Sequence, residues 1–172
     1  MKKALVIVDM QNDFVTGVFA NPIAESIAPY IREYATHFDG DIFFTQDTHL
    51  EPMYNVAPSV EEIKLPAHCI FQSKGWDIVP ELKGIKGEFF PKSEFGSLDL
   101  GHEIAIGEYD EVQICGVCTD ICVLSNVVTI QTIAPCTKVV VLENLCAGSS
   151  EEAELAAFTV MEKSLLVELR TV

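Results

Sequence analysis

Three cysteines lie close together in ICGVCTDICV, residues 114–123: Cys115, Cys118 and Cys122. Thiolates can bind zinc, exchange disulfides or attack a carbonyl carbon. A structural zinc site needs four ligands, often in two pairs, and the cysteines at 69, 136 and 146 form no second pair. A redox CxxC pair usually starts a helix, whereas Cys115 falls inside a predicted strand. The third interpretation, a single nucleophile, requires a base and an orienting group nearby.

Cys122 is the candidate nucleophile among these cysteines. If Thr119 is the N-cap of the helix predicted from that residue, Cys122 lies in its first turn. The helix dipole and unpaired N–H groups there favour a thiolate, and the same groups can hold an oxyanion. We interpret Cys115, Cys136 and Cys146 as packing residues, because cysteine is among the most buried residue types.

Two charged residues are candidate partners for this thiol. Asp9 follows the apolar run KALVIV, and Lys92 ends the apolar segment GEFFPK. A partly desolvated carboxylate could take the thiol proton, and a nearby ammonium would keep both the carboxylate and the thiolate charged. Taken singly, each residue could equally be a solvated strand end.

A second group of residues suits a metal ion. DTH supplies Asp47 and His49, KLPAHC supplies His68, and Glu61 lies in the same loop as a possible fourth ligand. Carboxylate and imidazole ligands at an open site suit Zn²⁺, Mn²⁺ or Fe²⁺. The early segment DMQNDF is no EF-hand loop, because Phe14 occupies the glycine position.

Strands and helices alternate along the chain and must position these residues. We predict strands at 3–8, 41–45, 87–92, 111–117, 137–143 and 164–172, and helices at 23–38, 75–82, 97–106, 119–133 and 149–163, with a long loop at 48–72. The order indicates a doubly wound three-layer α/β/α fold with a mostly parallel sheet. In such sheets ligands bind at the carboxyl ends of the strands, where the candidate residues lie.

Composition limits the function classes. The length, 172 residues, fits one domain over 1–172, and no apolar run reaches about 18 residues, as a spanning helix would require. A net charge of −15 disfavours nucleic acid and anionic membranes as partners. Six cysteines without an evident signal peptide indicate free thiols in a reducing cytoplasm.

Five segments together resemble the isochorismatase-like cysteine hydrolases, and most closely their metal-containing nicotinamidase (pyrazinamidase) branch. They are VDMQNDF, DTH, LPAHC, KSEFGS and GVCTDICV, which occur in the family's order over nearly the whole chain. The resemblance implies that fold, with a catalytic triad and a metal site. The implied triad is Asp9, Lys92 and Cys122, and the implied metal ligands are Asp47, His49, His68 and, as in some members, Glu61.

The resemblance also implies a mechanism. Asp9 would deprotonate Cys122, whose thiolate attacks a carboxamide to release ammonia and form an acyl-thioester that water hydrolyses. The N–H groups of Cys118 and Cys122 would form the oxyanion hole, helped by a cis peptide before Cys118. One divalent ion, zinc or alternatively manganese or iron, would anchor the substrate's ring nitrogen. Family members commonly form homo-oligomers.

Some positions depart from the nicotinamidase pattern. Leu65 and Ile121 stand where aromatic residues are common, while Phe14 is retained and Phe95 offers a further aromatic wall for the substrate pocket. Three hypotheses therefore stay open. The chain could hydrolyse nicotinamide or a similar aromatic carboxamide, act on another substrate such as a carbamoyl or ureido compound, or be a catalytically silent binding member.

Overall fold

A six-stranded sheet organises the protein, whose computed structural model describes residues 1–51 and 56–172. The strands are β1 (Lys3–Val8), β2 (Asp41–Asp47), β3 (Glu88–Lys92), β4 (Glu111–Val117), β5 (Lys138–Ala147) and β6 (Glu168–Arg170). Their order is β3-β2-β1-β4-β5-β6, and every adjacent pair is parallel. The strand order reverses direction beside β1, so the predicted doubly wound sheet is confirmed.

Helices connect the strands. In the described ranges they are α1 (Asn12–Val15), α2 (Pro22–His37), α3 (Val60–Lys64), α4 (Leu98–Gly107), α5 (Leu124–Ile133) and α6 (Glu151–Lys163), with a 3₁₀ turn at Pro80–Leu82 and a π-helical turn at Thr119–Val123. Two predictions were wrong in detail. The helix expected at 75–82 is only the 3₁₀ turn, and the segment expected to be a loop contains α3. None of the described helices is long and apolar enough to cross a membrane.

Two apolar cores cover the two faces of the sheet. In β1, Ala4, Val6 and Val8 pack in the core that contains α4, α5 and α6 side chains. Leu5 and Ile7 pack in the core that contains buried α2 side chains. Alternate residues of a strand face opposite ways, so a continuous apolar run is required where both faces are covered. This arrangement confirms the three-layer prediction.

The parallel sheet brings the polar strand ends together. Asp9 follows β1 directly, while Asp47 and Lys92 are the last residues of β2 and β3 and pair in register. Gln11 reinforces this edge, because its side chain bonds both backbone groups of Asp47, accepting from N and donating to O at 2.8 Å each. The site is therefore built on rigid strand ends.

At the opposite edge, an ion pair joins β4 to β6. The Arg170 guanidinium reaches both carboxylate oxygens of buried Glu111 at 3.2 Å, and Gln113 donates to Glu111 at 2.7 Å. The hydrogen bonds from Arg170 lower the pKa of Glu111 to about 2, although burial acts in the other direction. This carboxylate therefore holds the short terminal strand on the sheet.

Replacing Glu111 with glutamine should lower the free energy of unfolding at pH 7 by about 1–3 kcal/mol. This loss lies between those measured for breaking exposed ion pairs and fully buried ion pairs. The folded pKa lies below the ordinary 4.5, so the stabilisation is present above pH 4.5 and disappears as the pH falls through about 2. Urea unfolding measures both effects. Glu168→Gln, which removes a more exposed carboxylate from Arg170, is the control and should cost less than about 1 kcal/mol. Equal losses would contradict this assignment.

Candidate active site

Lys92 lies at the centre of the polar cluster at the strand ends. Its Nζ is 2.7 Å from Asp9 Oδ2, 3.5 Å from Cys122 Sγ and 3.4 Å from Asp47 Oδ1. All four side chains are buried. Thr45 on β2 fixes the other oxygen of Asp9, donating to Oδ1 at 2.7 Å. The structure thus brings together the three residues expected from the sequence to act on a carbonyl group.

The turn after β4 carries Cys122. The Val117–Cys118 peptide is cis, as the resemblance implied. Gly116 has φ +114, and a side chain there would collide with the backbone of Val8, so glycine is required. The predicted N-cap was wrong: Cys118 occupies that position, a π-helical turn follows, and the Thr119 hydroxyl donates instead to Glu154 on α6 at 2.7 Å.

Burial and neighbouring charges oppose each other in setting the pKa values of this cluster. Burial raises the pKa of Cys122 well above its ordinary value, and the Lys92 charge offsets this only in part. The pKa of Asp9 is also raised, by burial against the opposing charge of Lys92. For Lys92, burial favours the neutral amine, but the charges of Asp9, Cys122 and Asp47 raise the pKa far above 10.5. The expected thiolate is therefore replaced by a thiol, which needs a base to react.

Substituting Lys92 with methionine should raise the pKa of Cys122 further, because it removes the positive charge that lowers this pKa. We expect alkylation of Cys122 by iodoacetamide to slow by at least about tenfold at pH 8–9. Mass spectrometry would follow the modified peptide over time, with the exposed Cys136 as an internal control. An unchanged rate at Cys122 would contradict this electrostatic role.

A second cluster adjoins the first. Asp47, His49, Glu61 and His68 are buried and place one ligand atom each within 4.8 Å of one another. Asp47 Oδ2 is 2.9 Å from His49 Nε2 and 3.2 Å from His68 Nε2, and His68 Nε2 is 3.4 Å from Glu61 Oε1. All four predicted metal ligands therefore meet at one point.

The donor set fits a divalent metal ion. Two imidazoles and two carboxylates suit Zn²⁺, Mn²⁺ or Fe²⁺, and Glu61 Oε2 is buried without a hydrogen-bond partner among the described residues. Burial lowers the pKa of each histidine, but hydrogen bonds to carboxylates outweigh this effect. They raise the pKa of His49 above its ordinary value and the pKa of His68 to about 10. Without a metal ion, the carboxylates thus favour the protonated form of both rings.

Metal binding should therefore release protons. Imidazolium must lose a proton to bind a metal, and the pKa of His68 is raised to about 10 while that of His49 is raised above 6.5, so at pH 7 more than one proton should leave per zinc ion, about one of them from His68. Calorimetric titration of the apoprotein in buffers of different ionisation enthalpy measures this number. His68→Asn should reduce it by about one. Release near zero in the native protein would contradict the protonated state.

An aromatic cavity of about 1280 Å³ opens above Cys122. The four residues predicted to line the substrate pocket, Phe14, Leu65, Phe95 and Ile121, all border it, as do Cys118, Cys122 and Glu61. Phe19 also borders it, and its ring lies 4.9 Å from that of His68 and 5.9 Å from that of Phe14. The cavity therefore offers aromatic surface between the thiol and the metal ligands.

Sequence reasoning missed two residues of this region. Phe19 gave no signal, because it follows α1 in an irregular segment and reaches the site only through the fold. Glu62, which contacts His49, had a signal: Ser59 and Glu62 form an S-x-x-E capping box, a mark of a helix start. Finding that helix would have placed Glu61 and Glu62 on one rigid element.

The strand ends, the thiol turn and the adjoining carboxylate–histidine cluster can be compared with known proteins. The isochorismatase domain model matches residues 3–171. The chain belongs to the isochorismatase family. A nicotinamidase/pyrazinamidase of Mycobacterium tuberculosis is 29% identical over an alignment of 189 residues, gaps included, that covers 97% of each chain.

Two further isochorismatase-family relatives extend this comparison. An uncharacterised isochorismatase-family protein of Bacillus subtilis is 31% identical over 147 residues, 74% of this chain and 78% of the relative. The crystal structure of a pyrazinamidase of Pyrococcus horikoshii in complex with zinc superposes with a TM-score of 0.86 at 26% identity and covers 100% of both chains. The predicted isochorismatase-like fold is confirmed over the length of the chain.

Proposed function

We propose that the protein is a cysteine amidase that hydrolyses nicotinamide, or a similar small aromatic carboxamide, to the carboxylic acid and ammonia. The observation that carries this proposal is the buried Lys92 ammonium, which contacts Asp9, Asp47 and Cys122, and Cys122 borders the aromatic cavity. Similarity to a nicotinamidase/pyrazinamidase over 97% of the chain supports the same chemistry.

The reaction begins at the buried thiol. Asp9, which hydrogen-bonds Cys122, takes its proton, and the sulfur attacks the carboxamide carbon. As the C–N bond breaks, the proton passes from Asp9 to the leaving nitrogen, and ammonia departs. An acyl-thioester remains on Cys122. Asp9 then takes a proton from water, the hydroxide adds to the carbonyl carbon, and the C–S bond breaks to regenerate the thiol.

Positive groups stabilise the charge that develops. The backbone N–H groups of Cys118 and Cys122 form the proposed oxyanion hole, on the turn that the required Gly116 shapes. Lys92 remains an ammonium beside Asp9 and Cys122 and steadies each negative charge as the proton moves. Preorganised donors of this kind contribute several kcal/mol to acyl transfer, because they need no rearrangement in the transition state.

The substrate lies between the thiol and the metal ligands. Phe14, Phe19 and Phe95 offer aromatic surface to a flat ring, and Leu65 and Ile121 supply aliphatic walls where the branch often has aromatic residues. We propose Asp47, His49, Glu61 and His68 as the ligands of one zinc ion, with manganese and iron as alternatives. Bound there, the metal supplies a Lewis acid for the ring nitrogen of the substrate.

The remaining expectations concern the whole protein. We propose that residues 1–172 form one domain, because β1 and β6 belong to the same sheet and both cores lie on its faces. A cytoplasmic location is proposed from the six free cysteines. A homo-oligomeric assembly stays a prediction from the family resemblance.

Ammonia release from nicotinamide tests the proposed activity. Cys122→Ala and Asp9→Asn should each lower kcat by at least about 10³-fold, because each removes a member of a coupled catalytic unit. Chelation should lower the rate, and added zinc should restore it. Cys136→Ala, at an exposed position outside the cavity, is the matched thiol control and should keep full activity.

A carboxamide and ureido panel beside nicotinamide separates the alternatives. Release from ureido compounds alone would support the alternative substrate class. No release from any compound, or equal rates for the native protein and Cys122→Ala, would overturn the amidase proposal.

A further inference from the structure

The two metal-site histidines are oriented through their outer nitrogens. Each ring points Nε2 at Asp47 and is held at Nδ1 by an oxygen outside the proposed ligand set. For His68 that oxygen is the carbonyl of Pro66, at 2.8 Å. For His49 it is Oε1 of Glu62, at 3.1 Å. A carbonyl or carboxylate oxygen can only accept, so both Nδ1 atoms donate and both Nε2 atoms face the site.

The Glu62 carboxylate is held by the start of its own helix. Its Oε2 accepts from the backbone N–H of Ser59 at 2.8 Å, and the Ser59 hydroxyl accepts from the Glu62 N–H at 3.2 Å. The two oxygens of one carboxylate thus serve a helix cap and an imidazole. The side chain is only 7% exposed, so neither bond competes strongly with water.

We propose that Glu62 is a positioning residue of the metal centre: its carboxylate fixes the ring orientation and the Nδ1–H tautomer of His49, so that Nε2 is presented to the ion. The adjacent Glu61 is a proposed ligand, so the five-residue helix α3 supplies both a ligand and the group that orients another ligand. This inference rests on the proposed metal centre but not on the proposed substrate.

Carboxylate-to-amide substitution tests this arrangement sharply. In Glu62→Gln, the amide has one acceptor oxygen for two donors, Ser59 N–H and His49 Nδ1–H. If the oxygen stays with Ser59, the amide N–H₂ faces Nδ1, which must then accept and place the proton on Nε2. If the oxygen stays with His49, the N–H₂ group opposes Ser59 N–H and the cap is lost. Either arrangement disturbs the presentation of Nε2 or the helix that carries Glu61.

The experiment measures zinc affinity and the His49 tautomer, which do not depend on turnover. Apoprotein competes with a chromophoric chelator for zinc, and ¹⁵N shifts of labelled histidines in zinc-loaded protein report which His49 nitrogen carries the proton. Glu62→Gln and Glu62→Ala should weaken zinc binding by about 10–100-fold, as loss of an outer partner typically does. The His49 Nδ1–H signal should shift or disappear, while that of His68 persists.

Two control variants separate positioning from stability. Ser59→Ala removes the hydroxyl of the cap but leaves Glu62 facing His49, so zinc affinity should stay near the native value. Glu33→Gln makes the same chemical change at an exposed position of α2. Thermal unfolding of each apoprotein checks that the variants are folded, and Glu62→Gln serves if Glu62→Ala does not fold.

The outcomes are distinct. Native zinc affinity with an unchanged His49 signal in Glu62→Gln would overturn the inference, as would equal losses in Glu62→Gln and Ser59→Ala. Failure of the native protein to bind zinc would overturn it together with the metal centre. If zinc affinity depends on Glu62 but no amide is hydrolysed, the positioning role stands and the proposed activity fails.

Discussion

A buried ammonium holds the site together. Removing a charged group from water costs several kcal/mol, which only close partners can offset. Lys92 has three such partners in Asp9, Asp47 and Cys122, each from a different strand or strand end. Those partners can converge only if β1, β2, β3 and β4 are parallel neighbours with matched ends. The strand order is therefore a condition for placing this charge, and the apolar cores on both faces keep that order.

The same burial controls the chemistry of the thiol. Burial raises the pKa of the Cys122 thiol and that of Asp9, whereas the Lys92 charge lowers both. Asp9, as a base with a raised pKa beside this thiol, is better matched to take its proton than an exposed carboxylate would be. A thiolate formed there has few solvent partners, so it reacts without first losing a hydration shell.

The site residues that lie at strand ends could be predicted from the sequence. Asp9, Asp47 and Lys92 each close an apolar run, and in a parallel sheet such ends share one edge, so their proximity was predictable. Cys122 was predictable from a strand followed by a helix. The π-helical turn and the Cys118 N-cap were not, because they depend on how Gly116 packs against the backbone of β1.

Residues from irregular segments were harder to place. The rings of Phe19 and His68 meet only because the fold brings two distant parts of the chain together, so no local sequence pattern predicts this contact. Glu62 shows a different limit: the capping box that it forms with Ser59 could have predicted a helix start where a loop was expected, but the contact with His49 depends on how the segment after β2 meets α3. Local rules could therefore have identified the helix, but not the contact of Glu62 with His49.

The two clusters share one carboxylate. Oδ1 of Asp47 faces Lys92, while Oδ2 faces the Nε2 atoms of His49 and His68. Substituting Asp47 would therefore disturb the nucleophile's charge environment and the metal ligands together, and its effects could not be assigned to either. To assign an effect to one cluster, the substituted residue must contact that cluster alone. Asp9 contacts Lys92 in the nucleophile's cluster, and Glu62 contacts His49 among the proposed metal ligands. Gln11 hydrogen-bonds both backbone groups of Asp47, so the main chain that carries this shared carboxylate is fixed from both sides.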